Sequence, residues 1–273
     1  MKIHSALTVA CLAALALTGC TDSKEAAAPA PTSSPAKKTY QDGQKATVKS
    51  VESANTVTVD IDGSTEQVRL LNVVAPSKNN NVPSGSCLIQ ESTDYLKKKL
   101  PAGSEVTLKF DKAQVGTSGY LDAAMYSGDQ FINKQVARDG MAATTYTTQN
   151  DTFYPEISQA QQDAAKDAVG LYSKDVDCTI PHMIAQAQEK AKSAKDIKDE
   201  QQRKIAYQEA STVYNDLNDE VSAPAQWVGS IVTLEPVRQQ LEELKTDLGK
   251  NYYNKEGVSE ADQATASPTG RPQ

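Results

Sequence analysis

Residues 53–76, SANTVTVDIDGSTEQVRLLNVVAP, decide the fold of this chain. Apolar residues alternate with polar ones on both sides of the pair Asp62-Gly63, at Val57, Val59 and Ile61 before it and at Val68, Leu70 and Val73 after it. An alternation with a period of two is typical of half-buried strands, and Asp-Gly favours a two-residue hairpin turn. The stretch therefore predicts a β-hairpin.

The patterns that follow the hairpin predict a small barrel with helices. Further strands are expected at 106–110 and 122–127, and helical spacing of apolar residues occurs at 86–100, 132–142 and 156–173. The order is three strands, a helix, two strands and two helices, with the folded part beginning near Gln44. This order fits an α+β domain over residues 44–181, built on a five-stranded barrel of the OB type.

The composition changes after residue 181. Residues 182–221 carry a narrow apolar stripe among Gln, Lys, Asp and Glu, which predicts one long helix. A second apolar repeat follows Ser222-Ala223-Pro224, and Pro236 must either kink that helix or lie in its first turn. We therefore expect a helical hairpin or coiled-coil region over 182–253, whose Ala-rich stripe packs on its partner helix or on another protein. Residues 254–273 are predicted to be disordered.

The N-terminus has the features of a bacterial export signal. Lys2 precedes an apolar run at 6–17, and Leu17-Thr18-Gly19-Cys20 resembles the lipobox, in which the cysteine is acylated and the chain is cut before it. We predict a signal peptide at 1–19, a palmitate-bearing Cys20 and a disordered tether over 20–43. The chain would then be attached to the outer face of a cell membrane. The alternative is an ordinary signal with a chance cysteine.

The remaining cysteines predict one disulfide. Cys11 leaves with the signal and Cys20 carries lipid, so Cys87 and Cys178 are the two thiols left in an oxidising compartment. The alternative is two buried free thiols.

Charge and histidine content limit the function. The chain has 28 basic and 35 acidic residues and a formal charge of −7, which disfavours general binding of nucleic acid. The Lys run at 97–99 is expected to be a solvated last helical turn, favoured by the helix dipole. His182 is the one histidine beyond the signal, which excludes a two-imidazole zinc site and a His dyad.

Four stretches together resemble the staphylococcal-nuclease-like (thermonuclease) family. They are VESANTVTV at 51–59, VRLLNVVAPS at 68–77, GYLDAAMYSGDQFINKQVARDGMA at 119–142 and FYPEISQAQQDAAKDAVGLYS at 153–173. Their order and spacing cover nearly all of the 44–178 segment. The resemblance implies an OB-type barrel with three helices and, in the family, Ca²⁺-dependent phosphodiester hydrolysis.

The resemblance also implies where the family's catalytic groups should lie, and most are replaced. The two metal-binding carboxylates match Asn55 and Val74, and the Glu that activates or positions water matches Ser77. The second arginine matches Tyr120, with Asp122 close by, whereas the first arginine is kept as Arg69. A hard cation needs several oxygen ligands. We therefore interpret the domain as a degenerate nuclease, with no catalytic residue, no metal and no cofactor.

Three functions follow as hypotheses. The first is a membrane-anchored binding or scaffolding lipoprotein, whose partner is a protein or a cell-envelope component. The second is a nuclease that holds Ca²⁺ through substitute ligands such as Asp60, Asp62 or Asp122. The third is an oligomerising or adhesive surface protein that acts through its helical region. For Arg69, a structural ion pair on the barrel wall is favoured over a vestigial phosphate contact.

Overall fold

The computed structural model describes residues 38–79, 86–222 and 226–253, and from Thr39 onward these residues form one compact unit. The predicted signal peptide, Cys20, most of the tether and the tail at 254–273 lie outside the described residues. None of the helices in the described ranges has the length and apolarity that crossing a membrane requires.

The predicted barrel is confirmed. Its sheet has the strand order β3-β2-β1-β5-β6-β7, and β3 also pairs with β6 in parallel, which closes five strands into a barrel. In chain order the strands are β1 Gln44–Ser53, β2 Thr56–Ile61, β3 Ser64–Leu70, β4 Val73–Val74, β5 Glu105–Lys109, β6 Leu121–Ser127, β7 Gln130–Phe131 and β8 Ala143–Thr144. The two short strands β4 and β8 pair with each other beside the barrel.

The hairpin predicted from the alternating pattern joins β2 and β3. Asp62 and Gly63 both have positive φ angles, of 50° and 82°, as a two-residue turn of this kind requires. The backbone N–H of Gly63 donates to Oδ1 of Asp60 at 2.9 Å, which fastens the turn. The register that results pairs Thr56 with Arg69 and therefore sets which side chains of β3 face the barrel core.

Three helices pack on the barrel, close to the predicted ranges: α1 Ile89–Lys99, α2 Ile132–Arg138 and α3 Tyr154–Lys166. Asn133 fixes α2 because its buried side chain accepts a hydrogen bond from the N–H of Met125 at 2.9 Å. Its amide nitrogen donates to the carbonyls of Leu71 and Ala123 at 2.9 and 3.2 Å. One polar side chain thus ties a helix to the residue after β3 and to the middle of β6.

The C-terminal region is helical, as expected, but its organisation is more complex than a hairpin. It contains α4 Ile180–Ala194, α5 Glu200–Glu220, α6 Trp227–Val232, α7 Glu235–Leu248 and a π-helical turn Gly249–Tyr253. The prediction of a single helix over 182–221 was wrong. Asp199 starts a new helix because its side chain accepts from the N–H of Gln202 at 2.8 Å, which is an N-cap. Pro236 lies in the first turn of α7.

The barrel domain and the C-terminal helices share a second hydrophobic core. Every residue of α6 is buried, and α6 contacts β8 on one side and α4, α5 and α7 on the others. The shared core unites buried residues of the barrel domain with buried residues of all four helices, among them Ala143, Ala164, Leu171, Tyr172, Ile184, Ala191, Tyr207, Leu217, Trp227, Ile231 and Leu244. The Ala-rich stripe of α4 is therefore used inside this molecule.

The predicted disulfide is present. Cys87, just before α1, is bonded to Cys178, just before α4, with a Cα–Cα distance of 5.2 Å and a separation of 91 residues. Cys87 is buried in the shared core. The bond therefore links the barrel domain to the start of the helical region.

Replacing both cysteines by serine should lower the free energy of unfolding. For a closed loop of this length the chain-entropy argument gives a loss of about 4 to 5 kcal/mol at most. Urea unfolding of the wild type with and without reductant measures the loss, and the double variant, which reductant cannot affect, is the control. A midpoint that neither reduction nor substitution moves would contradict the prediction.

Candidate functional site at one end of the barrel

Asn55 lies in the turn between β1 and β2, next to β4. Its side-chain nitrogen donates to the carbonyl of Val73 at 2.9 Å, and its own carbonyl accepts from the N–H of Leu70 at 2.8 Å. The side-chain oxygen accepts from the hydroxyls of Ser53 and Thr56 at 3.0 and 3.2 Å. All the polar atoms of the amide side chain thus have partners within the protein.

Arg69 faces Asp122 across the parallel seam between β3 and β6. Nε of Arg69 donates to Oδ1 at 3.0 Å and Nη2 donates to Oδ2 at 3.2 Å, so the pair is bidentate. The Arg69 side chain is 32% exposed and the Asp122 side chain 10%. A bidentate pair in this partly buried position fixes the orientation of the guanidinium and neutralises its charge.

A loop covers this ion pair, and the loop residue Gly116, which has no side chain, lies against it. A Cβ atom on Gly116 would lie 2.3 Å from Oδ2 of Asp122 and 2.4 Å from Nη2 of Arg69, which no real contact allows. The loop is held by hydrogen bonds from the N–H of Asp122 to the carbonyl of Gln114 and from the N–H of Gly116 to the carbonyl of Tyr120. Tyr120, where the family's second arginine was expected, is therefore part of a tight turn.

Val74 lies in β4, and Ser77 lies three residues after it. Val74 is half-buried and packs against the core that the barrel shares with the C-terminal helices. Ser77 is exposed, and its carbonyl oxygen accepts a hydrogen bond from Nε1 of Trp227 at 2.8 Å. Two of the three positions where the resemblance implies carboxylates, Val74 and Ser77, thus contact the helical region or are hydrogen-bonded to it.

The two acidic residues of the hairpin turn have local roles. Asp60 forms an ion pair with Lys49 at 3.2 Å, and the hydrogen bond from Gly63, followed by that from Lys49, lowers the pKa of Asp60. Asp62 accepts from the side chain of Gln44 at 3.3 Å. Turn chemistry therefore accounts for both residues.

The residues at this end of the barrel do not fit a calcium ion. The side-chain oxygen of Asn55 accepts from two hydroxyls, the side chain of Val74 has no oxygen, and Asp122 is paired with Arg69. Calcium takes six to eight oxygen ligands, with carboxylates prominent among them. Within residues 38–79, 86–222 and 226–253, no three His, Cys, Asp or Glu side chains are grouped so that they could hold a metal ion.

Sequence reasoning missed the residues that connect this end of the barrel to the rest of the molecule. Trp227 stands in the apolar run WVGSIV, a visible sign of a buried helix, yet its partner Ser77 is 150 residues away along the chain. Gln161 and Asn150 are buried polar residues whose partners also lie in distant segments. No local pattern could have supplied these pairings.

The comparisons with known proteins agree with a barrel on which α1, α2 and α3 pack. Residues 67–174 match the protein family described as Staphylococcal nuclease homologue. The matched range includes Arg69, Val74, Ser77 and Tyr120, whereas Asn55 precedes it. The similarity to staphylococcal nuclease homologues thus covers most of the barrel domain.

Individual relatives cover about half of the chain. A thermonuclease of Staphylococcus intermedius is 28% identical over 142 residues, which are 51% of this chain and 84% of the relative. A thermonuclease of Staphylococcus hyicus is 26% identical over 119 residues, 44% of this chain and 70% of the relative. An uncharacterized protein of Bacillus anthracis is 27% identical over 131 residues, 47% of this chain and 61% of the relative.

Breaking the Arg69–Asp122 pair should destabilise the barrel. Arg69→Ala leaves a nearly buried carboxylate without its partner, and we expect a loss of about 2 to 4 kcal/mol in the free energy of unfolding. The matched control replaces both partners, as Arg69→Met with Asp122→Leu, and should lose less because no charge is left unpaired. Urea denaturation measures both, and equal losses would show that the pair is not a structural unit.

Proposed function

We propose that this protein is an exported lipoprotein whose nuclease-like domain binds a partner and does not cleave nucleic acid. The observation that carries the proposal is the set of side chains and contacts at the end of the barrel where the family has its catalytic groups. Its one retained arginine is paired with Asp122, and the positions matched to metal carboxylates hold Asn55 and Val74. This arrangement supports loss of the family's catalytic chemistry.

The electrostatic argument concerns Arg69. In phosphoryl-transfer chemistry a guanidinium stabilises charge that develops on phosphate oxygens, which requires donors aimed at the reacting group. Here two guanidinium nitrogens donate to a carboxylate of the same barrel. Asp122 also offers negative charge where a phosphate would need to approach. Both effects favour a structural role for Arg69.

The acidic character of the chain supports a partner other than nucleic acid. The formal charge is −7, and several basic side chains of the barrel domain are paired with carboxylates, as Lys45 is with Glu105 and Lys112 is with Asp151. A phosphate backbone binds through clustered cations that displace its counterions. We therefore propose a protein or another cell-envelope component as the partner.

The proposed setting is the outer face of a cell membrane. The motif ending at Cys20 supports acylation of that cysteine, and the Ala-, Pro- and Ser-rich stretch that follows it supports a tether. A lipid anchor with more than one chain holds firmly, because each buried methylene contributes about 0.8 kcal/mol. The folded domain would then be held close to the membrane surface.

The anchor predicts that Cys20→Ser releases the protein from the membrane. In the producing cell, the wild type should sediment with membranes and label with a palmitate analogue, whereas the variant should be soluble and unlabelled. Cys11→Ser, which changes a cysteine within the same signal, is the matched control and should behave like the wild type. Membrane retention of Cys20→Ser would exclude this anchor.

The central test is a cleavage assay. Residues 21–273 are incubated with fluorogenic DNA and RNA in the presence of Ca²⁺, Mg²⁺ or Mn²⁺, beside the thermonuclease of Staphylococcus intermedius as a positive control. We expect no metal-dependent cleavage, because the barrel end lacks the carboxylates that such a metal requires.

A different result would identify the second hypothesis. Metal-dependent cleavage that disappears with Arg69→Ala, but survives in Lys45→Ala as a matched loss of one exposed cation, would mean that substitute ligands exist. The domain would then be a working nuclease.

The oligomerising alternative receives less support. The apolar stripes of α4 and α7 lie inside the shared core, where Ala187, Ala191, Leu241 and Leu244 are buried. Among the described residues, the exposed large hydrophobic side chains are Tyr146, Ile205 and Val221, and two of these lie in or next to α5. The helical region thus uses most of its apolar surface within one molecule.

A further inference from the structure

Helix α6 has the sequence of an internal element. Its six residues, WVGSIV, are all buried, which is expected of a helix that is apolar on every side. It lies between β8 on one side and α4, α5 and α7 on the others. A helix in this position joins the barrel domain to the other helices.

Its first residue binds the segment that follows β4. Nε1 of Trp227 donates to the carbonyl of Ser77 at 2.8 Å, and Trp227 itself is 1% exposed. Val74, three residues earlier, packs against the same core. A buried indole N–H needs an acceptor, and here the barrel supplies it.

A second polar link joins α6 to α3 and β8. Gln161 of α3 is buried, and its oxygen accepts from the N–H of Thr144 at 2.9 Å, while its nitrogen donates to the carbonyl of Ser230 at 3.4 Å. Thr144 belongs to β8, which pairs with β4. The small β4–β8 sheet is therefore connected to α6 through Trp227 and through Gln161.

The disulfide adds a covalent link at the far end of the connection between β4 and α1. Cys87 is bonded to Cys178 at the start of the helical region, and the neighbouring Leu88 packs against the shared core. The two ends of this connection, at Ser77 and at Cys87, are thus attached to the same helical region.

We propose that α6 is a permanent intramolecular partner of the β4 flank, meaning β4 and the residues after it up to Ser77. The helix covers Val74, holds the backbone at Ser77 and closes this flank to external ligands. The apolar side chain of Val74 allows α6 to pack against this flank. A carboxylate at position 74 would lie against the apolar core without a partner. The C-terminal helices therefore occupy the flank from within.

The proposal specifies where a partner does not bind. It rests on the proposed function only in treating the β4 flank as no longer catalytic, and it excludes that flank as the binding surface. An external partner must then use another face of the barrel or the outer faces of the helices. The cover itself can be measured without knowing the partner.

The single tryptophan of the chain reports on the cover directly. In the full chain, Val74→Asp should shift the Trp227 emission to longer wavelength and increase its quenching by acrylamide, because the helix is no longer held against the flank. Val115→Asp is the matched control: Val115 is also half-buried but packs against the barrel core. It should lower the unfolding temperature without exposing Trp227.

A second variant tests the hydrogen bond and does not depend on the folding of Val74→Asp. Trp227→Phe keeps an aromatic ring in α6 but loses the N–H, and hydrogen exchange of the peptide over residues 71–79 should accelerate about fivefold, which corresponds to one hydrogen bond of about 1 kcal/mol. Ile231→Val, a conservative change in the same helix, should leave that peptide's exchange unchanged.

Either of two results would overturn the proposal. One is unchanged Trp227 emission and quenching in folded Val74→Asp, and the other is equal exchange of residues 71–79 in Trp227→Phe and Ile231→Val. Neither measurement involves nucleic acid. A cleavage assay that refutes the loss of catalysis therefore leaves these results readable, and failure of the cover leaves the cleavage result intact.

Discussion

The parallel pairing of β3 with β6 is the constraint on which the structure depends. It joins strands that are far apart in sequence and turns an open sheet into a barrel, so the polar edges of the outer strands are paired instead of exposed. The same seam places Arg69 opposite Asp122, and Gly116 leaves room for the loop that covers them. The same strand pairing therefore closes the barrel and neutralises Arg69.

Chemistry at this end of the barrel depends on context more than on residue type. An arginine aimed at open space can stabilise developing negative charge, whereas the same side chain held by two bonds to a carboxylate cannot turn toward a ligand without leaving that carboxylate unpaired. Asn55 illustrates the same point, since its amide is directed to the backbone of β4 and to neighbouring hydroxyls. These contacts stabilise the fold, and each reduces what remains for binding a cation.

The shared core explains why the barrel domain and the helices form one compact unit. Helix α6 has no polar face, so it can exist only with protein on all sides, and the barrel supplies one of those sides. The buried groups Trp227 and Gln161 find their acceptors and donors across the boundary, which sets the orientation of the helices more specifically than apolar contact alone. A domain boundary at residue 181 is thus a change of composition and not a gap between two cores.

The sequence by itself determined the fold class and most elements of the barrel domain. Alternation around Asp62-Gly63 predicted the hairpin, helical spacing predicted α1 to α3, and counting the cysteines predicted the bond between Cys87 and Cys178, because all of these depend on local patterns or on elimination. The split of residues 182–221 was missed, since the cap at Asp199 competes with a continuous stripe. Only the tertiary structure decided that Arg69 pairs with Asp122, that Val74 packs against the helices and that Trp227 donates to Ser77. Those contacts join segments many residues apart, and their energies exist only once the barrel has closed and the second core has formed.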